Sequence, residues 1–460
     1  MTVSRDLDVR RAYARDASGL ELVPDAVARP QSRHEVVELV RAAAADRTPI
    51  TAAGAQTSTT GASIVDRGVL LSMAAMPRII DIDPDRRTAR VEPGLTVGAL
   101  NTRLADVGLR FAPDPTSEHE ATIGGALACN ASGARSLRYG PTRAHVRSVH
   151  IVNGAGAVVH LRRPELEKNT VGFFAAQDPV DWIVGSEGTL GVIVEAELAL
   201  VPLPAYEIGL AMPFATEADA LGFVAAARER GDAHVGPRPQ CLEFFDDEAL
   251  SIARRAGESA SWMREARALV YLEQAADHAA EQDAVLEAWL AFGETFAVDA
   301  GDIAVYDDAA ALREARRFRH AVPAHMNERG SARRSHGGRK VSTDWAVPYR
   351  GLAAAVTAAR RLADEAGLAQ AVTYGHAGNG HPHQNFIAND ADELTRINAV
   401  VDATIDTVLK MGGTAAAEHG LGKLKRRWLS RQLSPEQVAM MHALKHVLDP
   451  LGLFAPGNIL

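Results

Sequence analysis

The stretch that most constrains how this chain can fold is T-Y-G-H-A-G-N-G-H-P-H-Q-N, residues 373–385. An Asn-Gly pair between two β-prone runs, 369–374 upstream and 385–388 downstream, is the strongest short-range hairpin signal. With Asn379 and Gly380 as the turn pair, Gly378 faces His381, Ala377 faces Pro382 and His376 faces His383. Opposed residues on one face have Cβ atoms roughly 4.5–5.5 Å apart. Two imidazoles so placed can share one metal ion. Asn385, two residues past His383, points the same way. A longer loop would shift this register and leave Pro382 at an edge.

A second stretch, G-G-T-A-A-A-E-H-G-L-G at residues 412–422, sets Glu418 beside His419 between glycines. Glu418 can complete a His-His-carboxylate set with an open position. That is the composition of a reactive metal site, because structural zinc sites are usually closed and rich in cysteine. Any one of these histidines alone reads as a surface-loop residue, and Glu418 alone as a solvated acid. The two stretches together read as metal binding.

The rest of the composition narrows the class. A chain of 460 residues is too long for one typical core, so two or more domains are expected. The formal charge of -9, with both signs interspersed, argues against a general nucleic-acid or membrane-surface binder. Cys129 and Cys241 are the only cysteines, too few for an iron–sulfur cluster, which takes about four. They do not suggest a disulfide-rich secreted fold either. Residues 1–11 carry no apolar leader core, and no run approaches the ~18 apolar residues of a membrane span. A soluble, cytoplasmic protein is the expectation.

In chain order, Ser32 with Glu35 is a capping-box pattern ahead of a helix carrying Val36, Val37, Leu39 and Val40. A strand over 49–53 runs into G-A-Q-T-S-T-T-G at 54–61, a loop of small residues and hydroxyls that can turn successive backbone N–H groups to a phosphate. Strands follow at 69–73, 79–82 and 88–91, then a helix at 97–107. A glycine-rich turn lies at 113–125 and another at 185–191. Three such turns spread over the N-terminal part do not fit a single nucleotide motif. The Rossmann fingerprint fails at Gly154-Ala155-Gly156, a Walker loop fails at Gly422-Lys423, and no G-x-S-x-G elbow is present. Pro202-Leu203-Pro204 marks a boundary. Beyond it strands near 207–212, 240–245 and 268–273 alternate with helices near 217–229 and 278–292, an α+β pattern for which an antiparallel sheet is expected. A basic helix over 309–319, a charged loop over 329–340, and helices at 350–366, 392–411 and 434–448 complete the reading.

These turns, in this order, resemble the FAD-linked 2-hydroxy-acid dehydrogenases, within the vanillyl-alcohol-oxidase type of flavoproteins. The resemblance covers nearly the whole chain. It is carried by residues 113–125, Asn130 to Gly133 with Arg138-Tyr139-Gly140, residues 185–193, the histidine hairpin and Glu418-His419-Gly420. It implies an α+β fold: a two-lobed FAD-binding domain at 1–204, a cap with an antiparallel sheet at 205–411, and a C-terminal helical segment at 412–460 that returns to the FAD domain. The FAD pyrophosphate is expected on Gly54, Ala55, Gln56, Thr57 and Ser58 and on Thr122, Gly124 and Gly125. Pro113, Asn130, Ser132, Gly133, Gly188 and Ile193 are expected to line the rest, with Asn458 near the flavin. The family's phosphate loop is usually richer in glycine than this one. No histidine is placed for covalent attachment, so non-covalent FAD is expected.

The resemblance further implies a divalent metal, zinc or manganese, on His376, His383 and Glu418, with His419 as the catalytic base. Family members usually read D-G-N-x-H in the hairpin, where this chain has Asn379-Gly380-His381-Pro382-His383. Losing the acid and gaining His381 bears on metal choice and on the groups that support the ligands. Arg319 matches the substrate-carboxylate arginine, Lys340 the substrate lysine, and Asn385 is a further substrate contact. The implied reaction is oxidation of a D-2-hydroxy acid (D-lactate, glycolate or D-2-hydroxyglutarate type) to the 2-oxo acid, with hydride passing to flavin N5. Electrons would leave to an external acceptor: an electron-transfer flavoprotein, a cytochrome or a quinone. No nucleic acid and no transmembrane segment are expected, and a homodimer is the candidate assembly. Two rival readings are a flavin-free metal-dependent hydrolase and a flavin-binding electron-transfer subunit without a substrate of its own.

Overall fold

The computed structural model describes residues 3–173, 177–255, 265–368 and 371–460. The chain forms two compact units, each considered by itself. The first takes in Met1–Gly133, Gly140–Leu203 and Glu418–Leu460; the second takes in Ala134–Tyr139 and Pro204–Ala417.

In the first unit the early lobe is a four-stranded sheet in the order Val3–Ser4, Ala26–Ala28, Val69–Ser72, Ile50–Ala53. The last three strands run parallel, and Val3–Ser4 pairs antiparallel at the edge. A parallel pairing needs a crossover, and the Arg33–Asp46 helix supplies it. Half of the expected capping box forms: Ser32 accepts from the Glu35 amide, but the Glu35 carboxylate reaches back to the Gln31 amide rather than to that of Ser32. Val36, Leu39 and Val40 face a core with Ile50 and Leu71. The later lobe is a five-stranded sheet in the order Ile79–Asp83, Thr88–Val91, Val192–Ala199, Val146–Val152, Val158–Arg162, antiparallel throughout. Leu100, Leu104, Ile123 and Leu127 pack from the Val97–Ala105 and Ile123–Cys129 helices onto Val149, Ile151 and Leu198. The tail closes the unit: the Ile50 amide donates to Leu453 O and the Ala455 amide donates to Ile50 O, both at 2.8 Å.

The second unit is built on a seven-stranded sheet in the order Ala304–Tyr306, Tyr206–Phe214, Ala268–Ala276, Cys241–Phe245, Val372–His376, His381–Asp390, Gly337–Ser342. Every pairing is antiparallel, as expected. Side chains alternate across such a sheet. One face buries Phe214 against Phe223 and the Trp289–Phe292 cluster of the Glu217–Asp232 and Ala279–Glu294 helices. The other sets Cys241, Phe245, Tyr271 and Tyr374 against Ala249 and Leu250 of Asp247–Arg255 and against Phe318, Val322 and Met326 of Ala309–Ser331.

Three local expectations are corrected. The helix beginning at Ala309 continues through Pro323 to Ser331. Burial of Val322 and Met326 on the sheet outweighs the amide that proline removes. The expected charged loop over 329–340 is instead the end of this helix followed by the Gly337–Ser342 strand, which pairs the outer edge of His381–Asp390. The final return to the first unit comes at Glu418, later than residue 412, because Thr414 and Ala417 are still hydrogen-bonded to Ala346 and Asp344. Of the expected β run at 369–374, the described strand is Val372–His376, and residues 369 and 370 lie outside the described residues.

Candidate active site

The hairpin exists, with a different register. Ala377–Asn379 form a turn of 3₁₀ helix closed by Gly380 at φ 69°, so the loop is longer than the two-residue turn. His376 therefore faces His381, Gly375 faces Pro382 and Tyr374 faces His383. Gly380 is held against Val347, where an added Cβ would stand 2.0 Å from its carbonyl oxygen. Gly375 leaves room for the His383 ring, whose Cδ2 lies 2.8 Å from the place a Cβ would take. Pro382 lies beyond the stretch of this strand that pairs with Gly337–Ser342, so its missing amide costs no bond on that side.

By this register His376, His381, His383 and Asn385 share one face, and Lys340, opposite Ile387, shares it too. His376, His381 and His383 are all buried, and the single nitrogen each offers lies within 4.8 Å of the others. His376 Nδ1 is 2.8 Å from Glu243 Oε1, and His383 Nδ1 is 3.2 Å from the Thr343 carbonyl. His381 Nε2 lies 3.2 Å from Asp344 Oδ1. The donor set suits a divalent cation of the zinc type: three imidazoles, with an acceptor oxygen at hydrogen-bond distance from His376 and from His383.

The same face carries a buried charge array. Glu243 and Glu273 sit on neighbouring strands, and Arg316 and Arg319 enter from the helix above. Arg319 Nη2 is 3.3 Å from Glu243 Oε2, and its Nη1 is 3.8 Å from Glu273 Oε1. Glu273 also accepts from Arg135 Nε at 3.0 Å, Arg316 Nε at 3.2 Å and the Tyr271 hydroxyl at 3.0 Å. Burial alone would push both carboxyls up. The Arg135, Arg316 and Arg319 charges instead hold Glu273 well below the usual carboxylate range, and His376 and Arg319 pull Glu243 down. Arg319 is raised in turn, since Glu243 and Glu273 outweigh the effect of its burial. Among the described residues Arg319 Nε has no hydrogen-bond partner. Lys340 donates to Asn327 Oδ1 at 2.9 Å, and burial lowers its amine to about 8. Asn385 is fully buried and spends its Nδ2 on the His383 carbonyl at 3.0 Å.

In the first unit, two of the expected phosphate segments meet. A Cβ on Gly54 would stand 2.2 Å from Thr122 Oγ1, so the strand-end loop and the start of the Ile123–Cys129 helix lie side by side. Gln56 holds a left-handed φ of 57° and donates to Tyr13 O, which shapes the run Ala55, Thr57 and Ser58. Thr122 caps the helix through the Gly125 amide, and Gly124 lies against Pro93. Asn130 ends it in the left-handed region and accepts from the Arg143 amide. Gly133 abuts the Asp114 carbonyl, next to buried Pro113. Gly188 turns at φ 74°, and Ile193 pairs with Ile151. Small residues and paired backbone turns of this kind suit close approach of a dinucleotide.

Asn458 is a clamp within this unit. Its Nδ2 donates to Ala62 O and Glu187 O, and its Oδ1 accepts from Lys423 at 2.6 Å. Ser132 donates to Glu418 Oε2 at 3.0 Å, and His419 Nε2 lies 3.5 Å from Glu418 Oε1. The loop after His419 hangs on Glu187, which accepts from the Leu421 and Gly422 amides.

Glu187, Glu243, Glu273 and Asp344 were not among the residues expected to matter. For Glu243 and Glu273 the signal was available: an acid inside an apolar strand run, C-L-E-F-F and Y-L-E-Q, is costly unless paired.

Comparison with known proteins identifies the family. Residues 24–162 match the FAD binding domain model and residues 203–459 match the model of the C-terminal domain of FAD linked oxidases. The chain belongs to the FAD-linked oxidases of the vanillyl-alcohol-oxidase type. It is 31% identical over 444 residues to the D-2-hydroxyglutarate dehydrogenase of Xanthomonas citri pv. viticola, covering 95% of this chain and 89% of that protein. It is 29% identical to glycolate oxidase subunit GlcD of Bacillus subtilis, covering 98% and 92%. It is 28% identical to the D-lactate dehydrogenase of Anaerostipes hadrus, covering 95% and 89%. The fold is shared with an alkyldihydroxyacetonephosphate synthase at a TM-score of 0.72 and 19% identity, over 99% of this chain and 83% of that one. Among the described residues no helix is long and apolar enough to cross a membrane.

Proposed function

We propose that this flavoprotein oxidises a D-2-hydroxy acid to the 2-oxo acid, with a divalent cation on His376, His383 and Glu418 and an external electron acceptor. The observation that carries the reading is one sheet face bearing buried histidines, Asn385, Lys340 and the Arg319 pair partners. The names of the relatives, all acting on small 2-hydroxy acids, support the same substrate class. Chain connectivity supports Glu418 as the carboxylate ligand: the Ala417 amide donates to the Asp344 carbonyl at 2.8 Å, and Glu418 is the next residue.

Bound against residues 54–58 and 122–125, FAD would supply a hydride acceptor, and a cation on His376, His383 and Glu418 would supply Lewis acidity toward the 2-hydroxyl. Arg319 takes the substrate carboxylate, with its unpartnered Nε as one donor. A carboxylate arriving there competes with Glu243 for the guanidinium. Lys340 adds a second positive charge on the same face. His419 accepts the hydroxyl proton, in keeping with an imidazole that titrates near neutrality. Ser132 steadies Glu418 by its hydrogen bond.

The test is an anaerobic panel of D- and L-2-hydroxy acids followed by loss of the flavin absorption band. Bleaching by one D-acid and not its L-enantiomer is the expected result. Protein purified with flavin that no member of the panel reduces would favour the electron-transfer subunit. Protein without flavin but with metal would favour the hydrolase.

A further inference from the structure

We propose that His381 is a third imidazole ligand of the cation, so that the second unit by itself presents three histidines to one metal ion. The inference rests on the reading that a cation binds at His376 and His383, and it changes what that cation can be.

The backbone supplies the first half of the argument. His381 is directly opposite His376, and His383 follows two residues later. Side chains two apart on a strand share a face, so all three rings project to the same side. Ring centroids are 5.5 Å apart for His376 and His381, 5.5 Å for His376 and His383, and 4.5 Å for His381 and His383. One nitrogen from each lies within 4.8 Å of the others. Zinc–nitrogen bonds of about 2.0–2.1 Å in tetrahedral geometry put neighbouring nitrogens roughly 3.4 Å apart, and small ring rotations cover the difference.

The second half is the oxygen beside each ring. Glu243 Oε1 stands 2.8 Å from His376 Nδ1, the Thr343 carbonyl 3.2 Å from His383 Nδ1, and Asp344 Oδ1 3.2 Å from His381 Nε2. A metal-bound histidine characteristically gives its other ring N–H to such an oxygen, which fixes its tautomer. For His376 and His383 that pattern points to Nε2 as the ligating atom, while His381 lies within ion-pair reach of Asp344. Thr343 and Asp344 are consecutive, so one short segment steadies two of the three rings. Three imidazoles favour zinc-type ions over manganese or magnesium, which prefer oxygen donors.

The test uses the full-length flavoprotein, stripped with chelator and reloaded with zinc or manganese. Zinc-edge X-ray absorption counts the imidazoles, chelator competition gives the affinities, and flavin content checks folding in every variant. Three imidazoles in the parent and two in His381→Asn are expected. Zinc affinity should fall at least about 100-fold in that variant, beyond the loss of a merely supporting residue. Manganese affinity should change much less. Two imidazoles in the parent, or unchanged zinc affinity in His381→Asn, overturns the third ligand and leaves the His376 and His383 reading standing. No zinc in the parent, or full affinity in His376→Asn, overturns both.

Discussion

Glu273 is the residue on which the second unit's charge array turns, and Glu273→Gln tests that array with minimal change of shape. Its side chain is 1% exposed, against 13% for Arg135, 11% for Arg319 and 33% for Arg316. At an effective dielectric of about 20, unit charges about 3 Å apart attract by roughly 5 kcal/mol. Desolvation takes back much of this, and removing one partner of a buried pair costs about 3–5 kcal/mol because the other charge stays buried. The amide keeps one acceptor oxygen where the carboxylate offers two to Arg135, Arg316 and Tyr271, and it carries no charge to balance Arg319. For a unit of this size that loss lowers the melting temperature by roughly 6–20 °C. The pH dependence follows from the depressed carboxyl. A folded-state pKa below the unfolded one adds stability that is present above the unfolded value and fades as pH falls toward the folded one. The gap between parent and variant should therefore be full at pH 7, nearly unchanged to about pH 5, and narrower near pH 3. Differential scanning fluorimetry across that range measures it. A second variant, Arg316→Met in the Glu273→Gln background, should recover part of the loss, because one stranded cation is gone. A Glu273→Gln protein melting within about 2 °C of the parent at pH 7, or a gap that widens on acidification, would refute the reasoning.

Other consequences are checked more simply. His419→Ala should keep its flavin and metal yet reduce flavin about 10²–10⁴-fold more slowly in anaerobic stopped flow; reduction at the parent rate would remove His419 as the base. Lys340→Met should raise KM for the hydroxy acid with a smaller change in kcat. Because the Lys340 amine loses its proton near 8, kcat/KM of the parent should fall above that pH, and the variant should lack that limb. Gly54→Ala should lower flavin content per chain, since the added Cβ meets Thr122 Oγ1 at 2.2 Å; a variant with full flavin occupancy would detach this loop from the cofactor.

What was legible in the sequence was local. The cap at Ser32 announces its helix because the hydroxyl and the Glu35 amide it serves are three residues apart. Strand-forming runs beyond Pro204 announce Tyr206–Phe214, Cys241–Phe245 and Ala268–Ala276, whereas the charges of Gly337–Ser342 hide that strand. The charge array was not legible, because sheet order decides it. Glu243 and Glu273 become neighbours only when Cys241–Phe245 pairs with Ala268–Ala276, and Arg135 reaches Glu273 from a far earlier stretch. Nor does a proline inside the Ala309–Ser331 helix announce continuation; only the burial of Val322 and Met326 explains it.

The hairpin shows why a site can survive an error in the expected register. The Asn-Gly turn would have set His376 opposite His383, whereas the longer loop sets it opposite His381. The pairing has moved by two residues, an even number, and side chains repeat every two. His376 and His383 therefore remain on one face, now as diagonal neighbours with ring centroids 5.5 Å apart. A slip of one would have turned His383 to the opposite face and brought Pro382 and Gln384 in its place. The even slip has a further effect: it brings His381 directly against His376, a neighbour the tighter turn would have held farther along the strand. The loop length thus sets which imidazoles meet, and the two glycines at 375 and 380 are what permit that loop and the close seat of the His383 ring.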